Sequence, residues 1–339
     1  MKKFLFLLAV CLPVLFVACD DDEAPNDTNA IVTDKSEEVT AVGARAFGHV
    51  DFNKLENVSE FGIAYSPDSK FSTTSFVFYD PKGKVEGMQN FSVRLTLLKP
   101  NTTYYYRAYV RTDKGKELVG NTLSFTTDQY PRMPYVDLGL DSHTLWATCN
   151  VGAKSPEEFG SYFQWGDVVG YPQDNRDGKI FDEAHCKWYN TIQKTFTKYN
   201  KTDQKTMLDL EDDAAYMNWG PGWQTPTEDQ FIELFDESVN SISYTTYNNV
   251  QGIEIKSKKN GNKIFLPAAG WFYKGTEFSH GGMATMDGSG GPGGHYWTRE
   301  VGGDVVARDF GYDFIEGIHA TSLDARYRGL TVRPVRQQQ

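Results

Sequence analysis

Residues 91–111 read Phe91-Ser92-Val93-Arg94-Leu95-Thr96-Leu97, then Leu98-Lys99-Pro100-Asn101-Thr102-Thr103, then Tyr104-Tyr105-Tyr106-Arg107-Ala108-Tyr109-Val110-Arg111. The first run alternates apolar and polar residues, the period of a half-buried strand. The last run alternates as well and puts Tyr104, Tyr106, Ala108 and Val110 on one face. More strand-like runs flank them: Val39 to Phe52, Phe61 to Tyr65, Phe76 to Tyr79, and Leu118 to Thr127. Clusters of Gly, Pro, Asn and Asp separate the runs at the spacing of an antiparallel sandwich.

The segment Leu98-Lys99-Pro100-Asn101-Thr102-Thr103-Tyr104 resembles the L-x-P-x-T-x-Y signature of fibronectin type III domains. Tyr106-Arg107-Ala108-Tyr109 and Ser124-Phe125-Thr126-Thr127 look like bacterial members of that class. The resemblance covers residues 30–127. It implies an all-β sandwich in which the Tyr104 hydroxyl bonds to backbone upstream, the tyrosine corner. It also implies a spacer role. Outward-facing Tyr105 and Tyr109 would either form a contact face or cover their neighbours.

Upstream, Lys2 and Lys3 precede an apolar run, Phe4 to Val17, interrupted only by Pro13. That run is shorter than the roughly 20 residues of a membrane-spanning helix, and it reads as a secretory signal over residues 1–18. Phe16-Val17-Ala18 before Cys19 resembles the lipobox of bacterial lipoproteins, with Phe16 departing from the usual Leu. The resemblance implies lipidation of Cys19 and stable anchoring to a membrane. Residues 19–29, opening with Asp20-Asp21-Asp22-Glu23 after the cysteine, read as a solvated tether. They also resemble the surface-export signal of Bacteroidetes lipoproteins, which implies an outer-membrane lipoprotein exposed on the cell surface.

The formal charge is −11, and it becomes −13 without residues 1–18, which carry two lysines and no acid. No basic stripe exists, so nucleic acid is excluded as a partner. The 22 Phe, 19 Tyr and 31 Gly suit β-rich, loop-rich architecture. Beyond Cys19 the cysteines are Cys149 and Cys186, which export would allow to pair and which otherwise are buried thiols.

A linker, residues 128–134, carries Pro131 and Pro134 and leads to a differently organised region, 135–336. Strands are expected over Tyr135 to Leu140, Leu145 to Thr148, Val250 to Ile255, Lys263 to Leu266, Tyr296 to Thr298 and Leu330 to Val335. Residues 170–206 read as a long surface loop. Asp209 to Met217 reads as a short helix, and Thr227 as the N-cap of another carrying Phe231, Leu234 and Phe235.

Several segments carry a second resemblance: Tyr135-Val136-Asp137-Leu138-Gly139-Leu140, Leu145-Trp146-Ala147-Thr148-Cys149-Asn150-Val151-Gly152-Ala153, Trp223-Gln224-Thr225-Pro226-Thr227, Phe265-Leu266-Pro267-Ala268-Ala269-Gly270, Tyr296-Trp297-Thr298 and Arg328-Gly329-Leu330-Thr331-Val332-Arg333-Pro334-Val335. In order and content they resemble the Fibrobacter succinogenes major paralogous domain of Bacteroidetes surface proteins. That implies an α+β C-type lectin-like domain behind the β-sandwich. Gln224 stands where family members often have Arg. The absence of a Cys after the second helix leaves Cys186 as the alternative partner of Cys149.

The related formylglycine-generating enzymes hold copper on cysteines near the C-terminus, and no cysteine follows Cys186 here. No His pair has zinc-protease spacing and no glycine loop has a Walker frame. The reading is therefore non-catalytic. Asp212 and Asp213 are the metal candidates, with calcium the ion that adjacent carboxylates suit. The competing reading has them cap a helix. Asp174, Asn175, Asp177 and Gly178 resemble part of a calcium loop that lacks its terminal Glu.

Residues 279–295 contain seven glycines, flanked by Trp271, Phe272, Tyr273, Tyr296 and Trp297. Mobile backbone beside aromatic rings suits carbohydrate, whose C–H faces stack on rings. The candidate ligand residues are Trp271, Tyr273, His280, His295, Arg308 and Tyr312, with Asp304, Asp309 and Asp313 nearby; the competing reading puts the tryptophans in the core. The function expected is a surface-anchored lipoprotein whose lectin-like domain binds a glycan or protein ligand. The alternatives are an accessory component of a surface complex or fimbria and, third, a polysaccharide hydrolase.

Overall fold

The computed structural model describes residues 30–79, 81, 85–174, 178–274, 276–278, 293–314 and 317–338. The expected signal segment, Cys19, the tether, Asn175, Asp177 and His280 lie outside the described residues.

Eight strands build the first unit: β1 (Ile31–Glu37), β2 (Ala44–Asp51), β3 (Val58–Ser66), β4 (Ser75–Phe78), β5 (Met88–Leu95), β6 (Thr103–Thr112), β7 (Glu117–Val119) and β8 (Leu123–Thr126). They form one sheet in the order β1-β2-β5 and another in the order β4-β3-β6-β7, with β8 also pairing β6. Alternation in the sequence becomes alternation in burial. Ala44, Ala46 and Val50 from one sheet meet Ile63, Tyr106, Ala108 and Val110 from the other in a single core. Val50, Ile63 and Leu95 are fully buried, and each such side chain contributes about 1.5–3 kcal/mol. The corner expected at Tyr104 is present: the Lys99 backbone N–H donates to the Tyr104 hydroxyl at 3.0 Å. Tyr109 is buried against neighbours rather than presented. Its hydroxyl donates to Glu60 at 2.6 Å and its ring meets Phe76 at 5.0 Å. This strand order and corner are those of a fibronectin type III-like sandwich.

The second unit is also mostly β. A small sheet runs β23-β10-β9, from β9 (Tyr135–Asp137), β10 (Thr144–Ala147) and the closing strand β23 (Val335–Gln337). Two-residue ladders follow, β11 (Ser161–Tyr162) with β12 (Tyr171–Pro172) and β13 (Tyr189–Asn190) with β14 (Thr195–Phe196). Helix α1 (Ala214–Trp219) and helix α2 (Glu228–Leu234) come next. Then come a hairpin sheet of β15 (Asn240–Tyr247), β16 (Val250–Ser257) and β17 (Lys263–Pro267), and the pair β18 (Trp271–Tyr273) and β19 (Thr276–Phe278). The last sheet is β20 (Gly293–Val301), β21 (Val306–Asp313) and β22 (Gly317–Ala325), antiparallel throughout.

Thr227 caps α2 as expected, in a reciprocal capping box with Gln230. Helix α2 presses Phe231 and Phe235 onto Phe310, with ring centroids 4.8 and 4.0 Å apart. Three expectations are corrected. Residues 170–206 are not a simple surface loop, because Phe181, Phe196 and Tyr199 drive into the core and pin the segment. The run 330–335 is not one strand. It makes isolated bridges at Leu330 and Thr331 and pairs regularly only from Val335, since Pro334 has no N–H to give a ladder. The expected helix from Asp209 splits into a 3-10 turn, Leu210–Asp212, and α1, with Asp213 at the junction.

Candidate functional site

The sheet β20-β21-β22 has two unlike faces. One carries Tyr296, Phe310 and Tyr312 into the core beneath α2. The other follows from the register. His295 lies opposite Gly311, Trp297 opposite Asp309, and Ala307 opposite Asp324. Residues two apart share a face, so this face gathers His295, Asp309 and Asp324 beside Trp297 and Ala307. Gly311 makes the arrangement feasible: a Cβ there would sit 3.2 Å from His295 Nδ1. With no side chain at 311, the imidazole lies over the strand and comes within 3.5 Å of Asp309 Oδ2.

One ligand atom from each of His295, Asp309 and Asp324 lies within 4.8 Å of the other two. Asp309 is 1% exposed, and neither of its carboxylate oxygens has a hydrogen-bond partner among the described residues. His295 Nδ1 is likewise without one. Asp324 differs: Arg328 Nη1 and the Ala325 N–H both donate to its Oδ1, at 2.8 and 2.6 Å. Burial and the adjoining Asp309 carboxylate raise the Asp324 carboxyl above the usual range, against the pull of Arg328 and His295. The guanidinium of Arg328 stacks 4.2 Å above the Trp271 ring and lies 5.9 Å from that of Tyr273. Tyr273 and Tyr327, both half-buried, pair at 5.8 Å. This face of the sheet therefore gathers two enclosed carboxylates and a partly exposed imidazole, with an arginine and a tyrosine pair adjoining them through Asp324.

The expected ligand residues divide. His295 is on this face, and Tyr273 adjoins it through Arg328. Trp271 is there too, but buried as a platform under Arg328. Tyr312 is on the opposite, apolar face, fully buried, with its hydroxyl donating to Leu266 O at 2.7 Å. Arg308 turns away to the start of α2, where it pairs with Glu228 at 2.7 Å. Asp324, Arg328 and Tyr327 were not among the expected ligand residues. Alternation in Ala307, Asp309 and Gly311, which puts a carboxylate in an inward register, is the signal that could have found the site.

Asp212 and Asp213 each have partners within the chain, and Asp212 also stands with Asp209 and Glu211 in a group whose ligand atoms lie within 4.8 Å of one another. Lys187 and Lys198 approach Asp212 at 2.8 and 2.5 Å and Tyr199 donates to it at 2.6 Å, so its charge is met by two lysine ammonium groups. Asp213 caps α1, accepting from the Ala215 and Tyr216 N–H groups and from Thr225. Cys149 and Cys186 are both buried free thiols, the second of the two readings left open, and the possible disulfide between them is not formed. Each has its own acceptor, Ala153 O for Cys149 and Arg326 O for Cys186.

No family model matches the chain, and no curated protein matches it. Solved structures similar to part of it include the sensor domain of the anti-sigma factor RsgI4 from Pseudobacteroides cellulosolvens. The identity is 20% and the TM-score 0.24, covering 29% of this chain and 93% of that one. A fibronectin type III domain from human KIAA0970 protein is similar at 15% identity and TM-score 0.23, covering 34% of this chain and 92% of that one. No helix among the described residues is long and apolar enough to cross a membrane.

Proposed function

We propose that this chain is a non-catalytic binding lipoprotein, anchored through Cys19 in the outer membrane, whose second unit presents a lectin-like ligand site on a fibronectin type III-like stalk. The single observation carrying the binding reading is the half-buried Tyr273–Tyr327 pair with Arg328 beside it, next to the sheet face that holds Asp324. Half-exposed rings offer a face for sugar C–H groups, and a cation with carboxylates alongside offers directional partners for hydroxyls. The C-type lectin-like assignment rests on the sequence resemblance. The anchor rests on the segment around Cys19.

The test is glycan-array and polysaccharide affinity-gel binding by the full chain and by Tyr273→Ala and Tyr327→Ala variants. Retardation that both variants lose supports the reading. No binding to any glycan, together with a protein partner that co-purifies from membranes, would replace it with the accessory-component reading.

A further inference from the structure

We propose that His295, Asp309 and Asp324 form a site for one divalent transition-metal ion, with zinc the best fit. The reading is independent of the ligand site at the tyrosine pair.

A carboxylate buried without donors is among the costliest groups a protein can carry, and it persists only when paired, protonated or metal-bound. Asp309 is almost fully enclosed and accepts no hydrogen bond among the described residues. A second carboxylate, Asp324, shares its face of the sheet. Arg328 compensates only one of the two, and both donors to Asp324 address the same oxygen, Oδ1. The site therefore holds an excess of negative charge facing an imidazole nitrogen that also has no hydrogen-bond partner. A dication answers all of these deficits at once.

Ligand type and size select the ion. One nitrogen and two carboxylate oxygens form a set seen with zinc, whose bonds are about 2.0–2.2 Å. Atoms around such an ion stand about 3–4 Å apart, so donor atoms already within 4.8 Å of one another need only small side-chain adjustments. Calcium wants about six to eight oxygens, which this enclosed set lacks. Three protein ligands leave a fourth position open. His295 is the most exposed of the three, with 19% of its side chain reaching solvent, so that position faces outward. The sheet is the scaffold: Thr331 binds His295 O through both its N–H and its hydroxyl, at 3.2 and 2.9 Å, fixing the strand under the imidazole.

The rival occupant is a proton shared between the carboxylates. The experiment is zinc titration of the purified, chelator-treated full chain by calorimetry. Visible absorption of the cobalt(II)-loaded protein reports the ligand set. Asp309→Asn and His295→Gln serve as variants. The expected result is one high-affinity equivalent in the wild type, a thermal midpoint raised by zinc, and a cobalt spectrum of low coordination number. Each variant should weaken binding by more than the roughly 10–100-fold that loss of an outer-shell partner costs. Zinc uptake that is equal in wild type and variants would assign it to surface histidines and overturn the proposal. No uptake by the wild type would also overturn it, in favour of the shared proton. Should Asp309→Asn fail to fold, the wild-type isotherm and His295→Gln still decide.

Discussion

Replacing Asp213 is the sharpest test of how the second unit is held together. Its carboxylate is fully buried, and its donors come from two places in the chain. From α1 come the Ala215 and Tyr216 N–H groups, at 2.9 and 3.2 Å. From the segment before α2 come the Thr225 N–H and hydroxyl, at 3.0 and 2.8 Å. Burial raises the carboxyl while these donors lower it, and raising prevails. Asp213→Ala removes the helix cap, which costs about 1 kcal/mol. It also strands the two Thr225 donors in the interior at about 1–3 kcal/mol apiece. The sum is about 3–7 kcal/mol.

Asp213→Asn keeps an acceptor but loses the charge assistance and turns an amide N–H₂ toward a donor, for about 1–2 kcal/mol. All seven tryptophans lie in residues 135–336, so tryptophan fluorescence during urea unfolding reads this unit alone. With a slope of about 2 kcal/mol/M, the alanine variant should lose roughly 1.5–3.5 M from its midpoint and the asparagine variant less than about 1 M. Millimolar calcium should rescue neither. An alanine shift below about 0.5 M would refute the capping argument, and calcium-dependent stabilisation of the wild type that the alanine variant loses would restore Asp213 as a metal ligand.

Three further outcomes follow from the same structure. Tyr104→Phe removes the acceptor of the part-buried bond from the Lys99 N–H and should destabilise the sandwich by about 1 kcal/mol, read by tyrosine near-UV circular dichroism during unfolding. Burial pushes the Cys186 thiol up to about 12 and raises Cys149 as well. Neither thiol should therefore react with iodoacetamide in the folded protein at pH 8, and both should react in urea; oxidised and reduced samples migrating differently would contradict this. Lys198 and Lys205 hold Asp209 down to about 2, and lysines also lower Asp212. Folded carboxyls below their unfolded value of about 3.9 stabilise above that pH and stop doing so as pH falls toward 2. The tryptophan-monitored midpoint should therefore drop between about pH 4 and pH 2, and Lys198→Met should shrink the drop.

The first unit was legible because one rule governs it. Period-two alternation in Phe91–Leu95 and Tyr104–Val110 states directly which side chains face inward, and the Leu98-to-Tyr104 segment fixes the turn between them. The second unit resisted the same reading for two reasons. Many of its buried positions are polar or charged: Asn150, Gln164, Arg326 and Arg333 are all enclosed. Arg333 donates to Asn150 Oδ1 and to the carbonyls of Ala147 and Phe265, contacts made across long stretches of chain. Its key strands also carry charge. Val306 to Asp313 contains Arg308, Asp309 and Asp313, a composition that argues against a strand until the partners of each are known.

Those three charges explain why the site lies where it does. Arg308 points to the solvent side of α2 and pairs with Glu228, and Asp313 at the strand end meets His319 at 3.1 Å. Arg308 is half-exposed, and the buried Asp313 has the His319 imidazole beside its carboxylate, so each of these charges has a partner. Asp309 is different, because it takes a place in the inward row between Ala307 and Gly311, beside Trp297, where an apolar side chain would stabilise the sheet at no electrostatic cost. An inward carboxylate in a central strand opposes folding unless something compensates it. The described neighbours compensate Asp324 through Arg328 and leave Asp309 with only a 3.5 Å approach from His295. Stability alone gives no reason for that choice of residue, and coordination of a dication does. Removing the charge while keeping the shape, as Asp309→Asn does, should therefore stabilise the metal-free protein and abolish the stabilisation that zinc provides. Opposite signs of one substitution in the two states are what a purely structural role for Asp309 would not produce.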